Sequence, residues 1–156
     1  MENPENIYMD MKMIFQKSRY IRYISFTLLI GYIIHPFING LGCNYHAQSD
    51  DSNLNFYTTC KFGLIESVVK NKMTDKLVSL KGLYGKSGNT VFFVTYKIDI
   101  LSNREPSVKN ITELYTTNRI FVSKVIKNSD GSDWILLQHP YYTVHKSKHI
   151  GRLSIF

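Results

Sequence analysis

The sequence predicts an all-β protein, a small antiparallel barrel preceded by an N-terminal targeting segment. Three observations carry that expectation. The composition is rich in residues that suit a pleated, half-buried surface, with 11 Tyr and 9 Phe besides many Thr, Val and Ile. From residue 60 onward, short runs with period-two patterning alternate with Gly, Ser, Asn and Asp clusters. Helical periodicity is scarce over the same stretch. At 156 residues the chain holds one domain, or one domain plus a targeting segment.

The first element is the targeting segment. Residues 17–23, KSRYIRY, carry three positive charges, and residues 24–34, ISFTLLIGYII, carry none. HPFINGLG follows, with a helix-breaking Pro36 and small residues at Gly40 and Gly42. A basic stretch, an apolar stretch of about ten residues and a small-x-small pair form the order of a secretory signal. Cleavage is therefore expected between Gly42 and Cys43, with residues 1–42 as signal peptide and residues 43–156 as the mature domain. The apolar run is short for a membrane span, which takes about 20 residues. A signal anchor and a core helix are the alternatives. The polar lead before it makes Met11 or Met13 the better start. Export implies a secreted, extracellular protein with no membrane association after cleavage. It also implies oxidised cysteines, and Cys43 and Cys60 allow one bridge at most. Asn110 opens an Asn-Ile-Thr glycosylation sequon, which has meaning only in an exported chain.

The strands follow in order. FGLIESVV, residues 62–69, alternates in part. KNKMTDKLVSLKGLYGKSGN reads as a polar connection that ends in a Gly/Ser/Asn turn. TVFFVTYKIDIL, residues 90–101, is the clearest strand, with Phe92, Val94, Tyr96, Ile98 and Ile100 on one face and Thr95, Lys97 and Asp99 on the other. ITELYTT, 111–117, and RIFVSKVI, 119–126, read as two more. KNSDGSD is a turn that joins antiparallel strands. DWILLQHPYYTVH reads as a strand, a break at Pro140 and a further short strand, and HIGRLSIF closes the chain. Six or seven strands result, and a five-stranded OB-like barrel fits the length.

Charge and chemistry narrow the function. The formal net charge is +7, and residues 43–156 hold 15 Lys/Arg against 9 Asp/Glu. Such a surface attracts polyanions, such as extracellular matrix glycosaminoglycans, although no run of five basic residues is present. A signal peptide argues against nucleic acid as the partner. His145 and His149 have helix-like metal spacing, but they lie among β-formers without a third ligand, and zinc needs three or four. G-x-S-x-G, P-loop and H-E-x-x-H patterns are absent from the sequence. No constellation argues for an enzyme or for a cofactor.

With Cys43 as the first mature residue, the chain resembles the netrin-like (NTR) domain, and within it the tissue inhibitors of metalloproteinases. The residues that carry the resemblance are Cys43 directly after the signal, His46-Ala47-Gln48, Cys60 opening KFGLIESVVKNK, the Tyr-rich VTYKIDIL, and ITELYTT. It covers about residues 43–156. Ser123, Tyr45 and Ser154 stand where the family carries cysteines. The resemblance implies a secreted metalloproteinase inhibitor whose Cys43 α-amine and carbonyl chelate the zinc of a target metalloproteinase. Asn44 would then enter the pocket beside the metal, and Tyr45, His46, Tyr115 and Thr116 would contact the protease. Cleavage is required, because an amide nitrogen at Cys43 cannot replace the amine. The family's other cysteines are missing, so the resemblance leaves the pairing of Cys43 and Cys60 open; if both are oxidised and pair with each other, they close a loop of about 17 residues worth roughly 3 kcal/mol. A binding module for matrix polyanions or proteins, without inhibition, is the alternative.

Overall fold

A computed structural model describes residues 4–51, 53–102, 115–129 and 131–156, with side chains described from residue 19. The sequon at Asn110 lies outside the described residues. The chain divides into two units, Met1–His35 and Pro36–Phe156. The first is most of a helix, α1 (Pro4–Gly40), whose stretch Arg19–Gly40 is long and apolar enough to cross a membrane. A signal sequence meets the same criterion.

The second unit is the expected small antiparallel all-β barrel, and it is closed by eight strands in next-neighbour order. They are β1 (Asn44–Asp50), β2 (Leu54–Lys61), β3 (Leu64–Asn71), β4 (Leu77–Ser87), β5 (Thr90–Ser102), β6 (Ile120–Lys127), β7 (Asp133–His139) and β8 (Thr143–Arg152). Pairing of β1 with β8 closes the ring and leaves no sheet edge free. Tight turns follow from local sequence. Phe62 and Gly63, both at positive φ (50° and 75°), form a two-residue connection between Lys61 and Leu64. Positive φ at both central residues matches the twist of the flanking strands. Gly88, at φ 55°, begins the equally short turn between Ser87 and Thr90.

Three readings of the sequence need correction. KNKMTDKLVSLKGLYGKSGN is mostly strand β4, whose inward set Val78, Leu80, Gly82 and Tyr84 is diluted by a glycine and flanked by lysines. In β5 the face is inverted over its first half: Val91 and Phe93 face the lumen, and Tyr96 is exposed. A register shift opposite Lys81 and Gly82 then returns Ile98 to the core. Residues 115–117 form a helical turn rather than a strand.

The interior has two apolar clusters. One holds Leu54, Val69, Val78, Leu80, Tyr115, Phe121 and Leu137. The other holds Cys43, Tyr45, Cys60, Ile65 and Tyr84. Residues 36–42 belong to the barrel unit. Asn39 is buried; its Nδ2 donates to the Lys86 carbonyl (2.9 Å), and its Oδ1 accepts from the Phe156 N–H (2.9 Å).

Candidate functional site: the barrel lumen

An eight-stranded barrel leaves an interior just wide enough to be filled by side chains or to hold one small ligand. Here a cavity of about 170 Å³ remains inside. Its lining is divided by strand. Five strands adjacent around the ring, β7, β8, β1, β2 and β3, supply Asp133, His145, Ser147, His149, Ser49, Thr58 and Ser67, interspersed with apolar side chains that include Tyr45, Phe56, Ile65, Val69, Ile135 and Leu137. Strands β4 to β6 supply Leu80, Tyr84, Val91, Phe93, Phe121 and Val125, with Ser123 as the polar exception.

The register explains how the polar wall assembles. Ser49 pairs with Ser147, and Ser147 pairs with Asp133, so the three lie side by side across β1, β8 and β7. His149 is two residues beyond Ser147 on the same face, and its Nδ1 reaches Asp133 Oδ2 at 2.7 Å. Thr58 pairs with Ser67, and their hydroxyls are hydrogen-bonded at 2.9 Å. Ser49 Oγ donates to the Lys146 carbonyl (2.8 Å), and Ser147 Oγ donates to the Gln48 carbonyl (3.2 Å). Each serine oxygen thus keeps acceptor capacity toward the lumen. The bond to Asp133 occupies His149 Nδ1, which leaves Nε2 as the ring nitrogen available to a ligand.

His145 lies four residues before His149 on the same strand face. Four strand residues span about 13 Å, so the pair cannot share a metal ion in the way helical spacing suggests. Each takes its own acid: His145 Nδ1 is 3.4 Å from Asp51 Oδ2, and His149 is held by Asp133. Among the described residues no group of three His, Cys, Asp or Glu is placed to hold a metal. Burial pushes the His145 imidazole below its ordinary pKa, and the Asp51 carboxylate opposes that shift. Its Nε2 is bonded to Thr143 Oγ1 at 2.7 Å.

The buried phenols Tyr45, Tyr84 and Tyr115 line the cavity. Tyr45 and Tyr84 meet edge to face at 5.7 Å. Burial holds both far above the ordinary phenol range, and for Tyr45 the neighbouring Tyr84 adds to the effect. The Tyr84 hydroxyl has no partner at hydrogen-bond geometry. Tyr115 stacks on Phe121 and meets Phe56 and Tyr141 edge to face. Burial raises Tyr115 strongly and raises Tyr141 to about 12. These phenols are neutral hydroxyls at any physiological pH.

The residues expected at a protease-binding edge are distributed differently. Cys43 is 1% exposed and forms a disulfide with Cys60. Its backbone N–H donates to the Gly40 carbonyl (2.9 Å), and its carbonyl accepts from the Phe62 N–H (3.1 Å). Both atoms that would chelate zinc are engaged inside the fold. Asn44 and His46 are exposed on β1, which is paired on both sides. Tyr45 and Tyr115 face inward instead of toward a partner, and Thr116 is half-buried in the helical turn. The structure therefore does not bring these six residues to one surface.

The lumen residues escaped sequence reading because period two reports only that alternate residues share a face. Ser49, Ser67 and Ser147 look like surface residues until the ring closes. The one legible signal was His145 and His149 at even spacing, which puts both on one face of a strand. No protein-family model, no curated protein and no solved structure matches the chain.

Proposed function

We propose that the barrel is a binding module whose lumen takes one compact amphipathic organic molecule, an apolar ring carrying one hydrogen-bond donor. A mostly apolar lumen with its serine, histidine and aspartate side chains gathered on one half of the ring supports this reading. An apolar ring fits against Leu80, Val91 and Phe93. A donor on that ring meets the Asp133 carboxylate or His149 Nε2. The size follows from volume: a cavity of 150 Å³ lined by apolar side chains accepts benzene, and this one holds about 170 Å³. Pockets of this kind typically pair a mostly apolar lining with a few placed polar groups.

Phenol and toluene are near-isosteric probes that differ in the donor. Calorimetric titration of the full chain is expected to give saturable phenol binding with Kd of about 0.01–1 mM, the range small ligands of this size reach. Phenol should bind about tenfold tighter than toluene, the worth of one hydrogen bond to a charged acceptor. Asp133→Asn should remove most of that preference. Absence of saturable binding by either probe, or equal binding of both, contradicts the proposal.

Metalloproteinase inhibition has the sequence resemblance as its support. It requires a mature chain that begins at Cys43, and such a chain assayed against a zinc metalloproteinase tests it. Failure to inhibit ends that reading. Polyanion binding has the net charge of +7 as its support, and heparin retention that is insensitive to salt would count against it.

A further inference from the structure

The segment that the sequence offers as the end of a cleaved signal is built into the barrel. Asn39 is 5% exposed, and its side chain bridges the Lys86 carbonyl on β4 and the Phe156 N–H at the end of the chain. Its backbone carbonyl accepts from the Ile155 N–H at 3.1 Å. The two glycines of the small-x-small pair have a structural reason to be small. A Cβ on Gly40 would sit 2.2 Å from the Tyr84 carbonyl oxygen, and one on Gly42 would sit 2.5 Å from the Ile155 nitrogen. The Gly42 carbonyl also accepts from Arg152 Nε at 3.1 Å.

We infer that the chain is not cleaved between Gly42 and Cys43, and that the apolar helix of residues 19–35 stays on the protein as a lipid-bilayer anchor. Cleavage there would remove Asn39 and leave the Lys86 carbonyl and the Ile155 and Phe156 N–H groups without their partner. Upstream, the helix exposes apolar side chains on all sides, among them Phe26 (63%), Leu28 (69%) and Tyr32 (81%). A helix apolar all round belongs in a core or a membrane, and residues up to His35 form a unit of their own, separate from the one that holds the barrel core. Residues 19–35 extend about 25 Å, of which 23–35, about 20 Å, carry no Lys, Arg, Asp or Glu; against a hydrocarbon layer of about 30 Å the shortfall is met by local thinning of the bilayer and by snorkelling of the flanking basic side chains. Arg19 and Arg22 are placed at one end, where long basic side chains reach the headgroups. The occupant that fits this helix is the hydrocarbon layer. The inference is independent of what the lumen binds.

The untagged full chain, expressed in eukaryotic cells, can be fractionated by alkaline carbonate extraction and weighed by intact mass spectrometry. The expected product retains residues 19–42 and stays in the carbonate-resistant membrane. A chain beginning anywhere from residue 20 to Cys43, or a full chain released by carbonate, overturns the inference. Two variants discriminate further. Gly42→Ala keeps the small residue that a signal peptidase needs, so a cleaved protein would show an unchanged Tm. A retained segment predicts a Tm lower by about 5 °C or more. Asn39→Ala should lower Tm similarly, and an unchanged Tm in both variants contradicts retention.

Discussion

At the scale of single residues, the Cys43–Cys60 disulfide and the His145 imidazole set measurable properties of the fold. Cys43 and Cys60 tie the start of β1 to the end of β2 across a sequence separation of 17 residues. On the chain-entropy account a loop of that length is worth about 3 kcal/mol. The double variant Cys43→Ser, Cys60→Ser is therefore expected to lose about that much stability, read as a lower denaturant midpoint at unchanged m. His145 sets a pH dependence. Burial beside Phe56 disfavours its imidazolium, which the Asp51 carboxylate only partly offsets. Its folded pKa lies below the ordinary value of 6.5, so over the interval between them the unfolded chain binds more protons. Stability should be fully present above about pH 6.5 and should fall as pH drops through the folded pKa. Denaturant midpoints at pH 5 and pH 7.5 check this, and His145→Gln should narrow the difference.

The strands show where a residue pattern decides and where it does not. Gly82 is inward on β4, and a Cβ there would lie 2.3 Å from the Val94 carbonyl and 2.4 Å from the Phe93 ring. Gly82→Ala is thus expected to cost about 2 kcal/mol or more, since neither backbone nor packed ring can yield cheaply. Thermal unfolding measures it. The same glycine explains why β4 was not legible: it breaks the apolar alternation that marks a strand, while Lys81 and Lys86 give the stretch a polar character. β5 was legible as a strand, because TVFFVTYKIDIL has no helical reading. Its face was not, because apolar residues occupy both sides of its first half and only the ring closure selects Val91 and Phe93 as inward. β7, β8 and the turn between β6 and β7 were legible from Gly131, Pro140 and the flanking apolar runs. The barrel class followed from these elements. The lumen did not, since its polar wall is made of serines and histidines from strands far apart in sequence, joined only by β1 pairing with β8.

At the scale of the whole molecule, closure of eight strands around two apolar clusters leaves a small, mostly apolar cavity, with the buried Ser49, Ser67, Asp133 and Ser147 in its lining. The most direct measurement is a phenol titration of the full chain followed through methyl resonances of isoleucine, leucine and valine. Saturable shifts are expected at the inward methyls of Leu80, Val91, Val125 and Ile135. The outward methyls of Leu83, Ile126 and Ile150 should stay still. Shifts confined to that outward set, or no saturation at any methyl, would contradict a ligand-binding lumen.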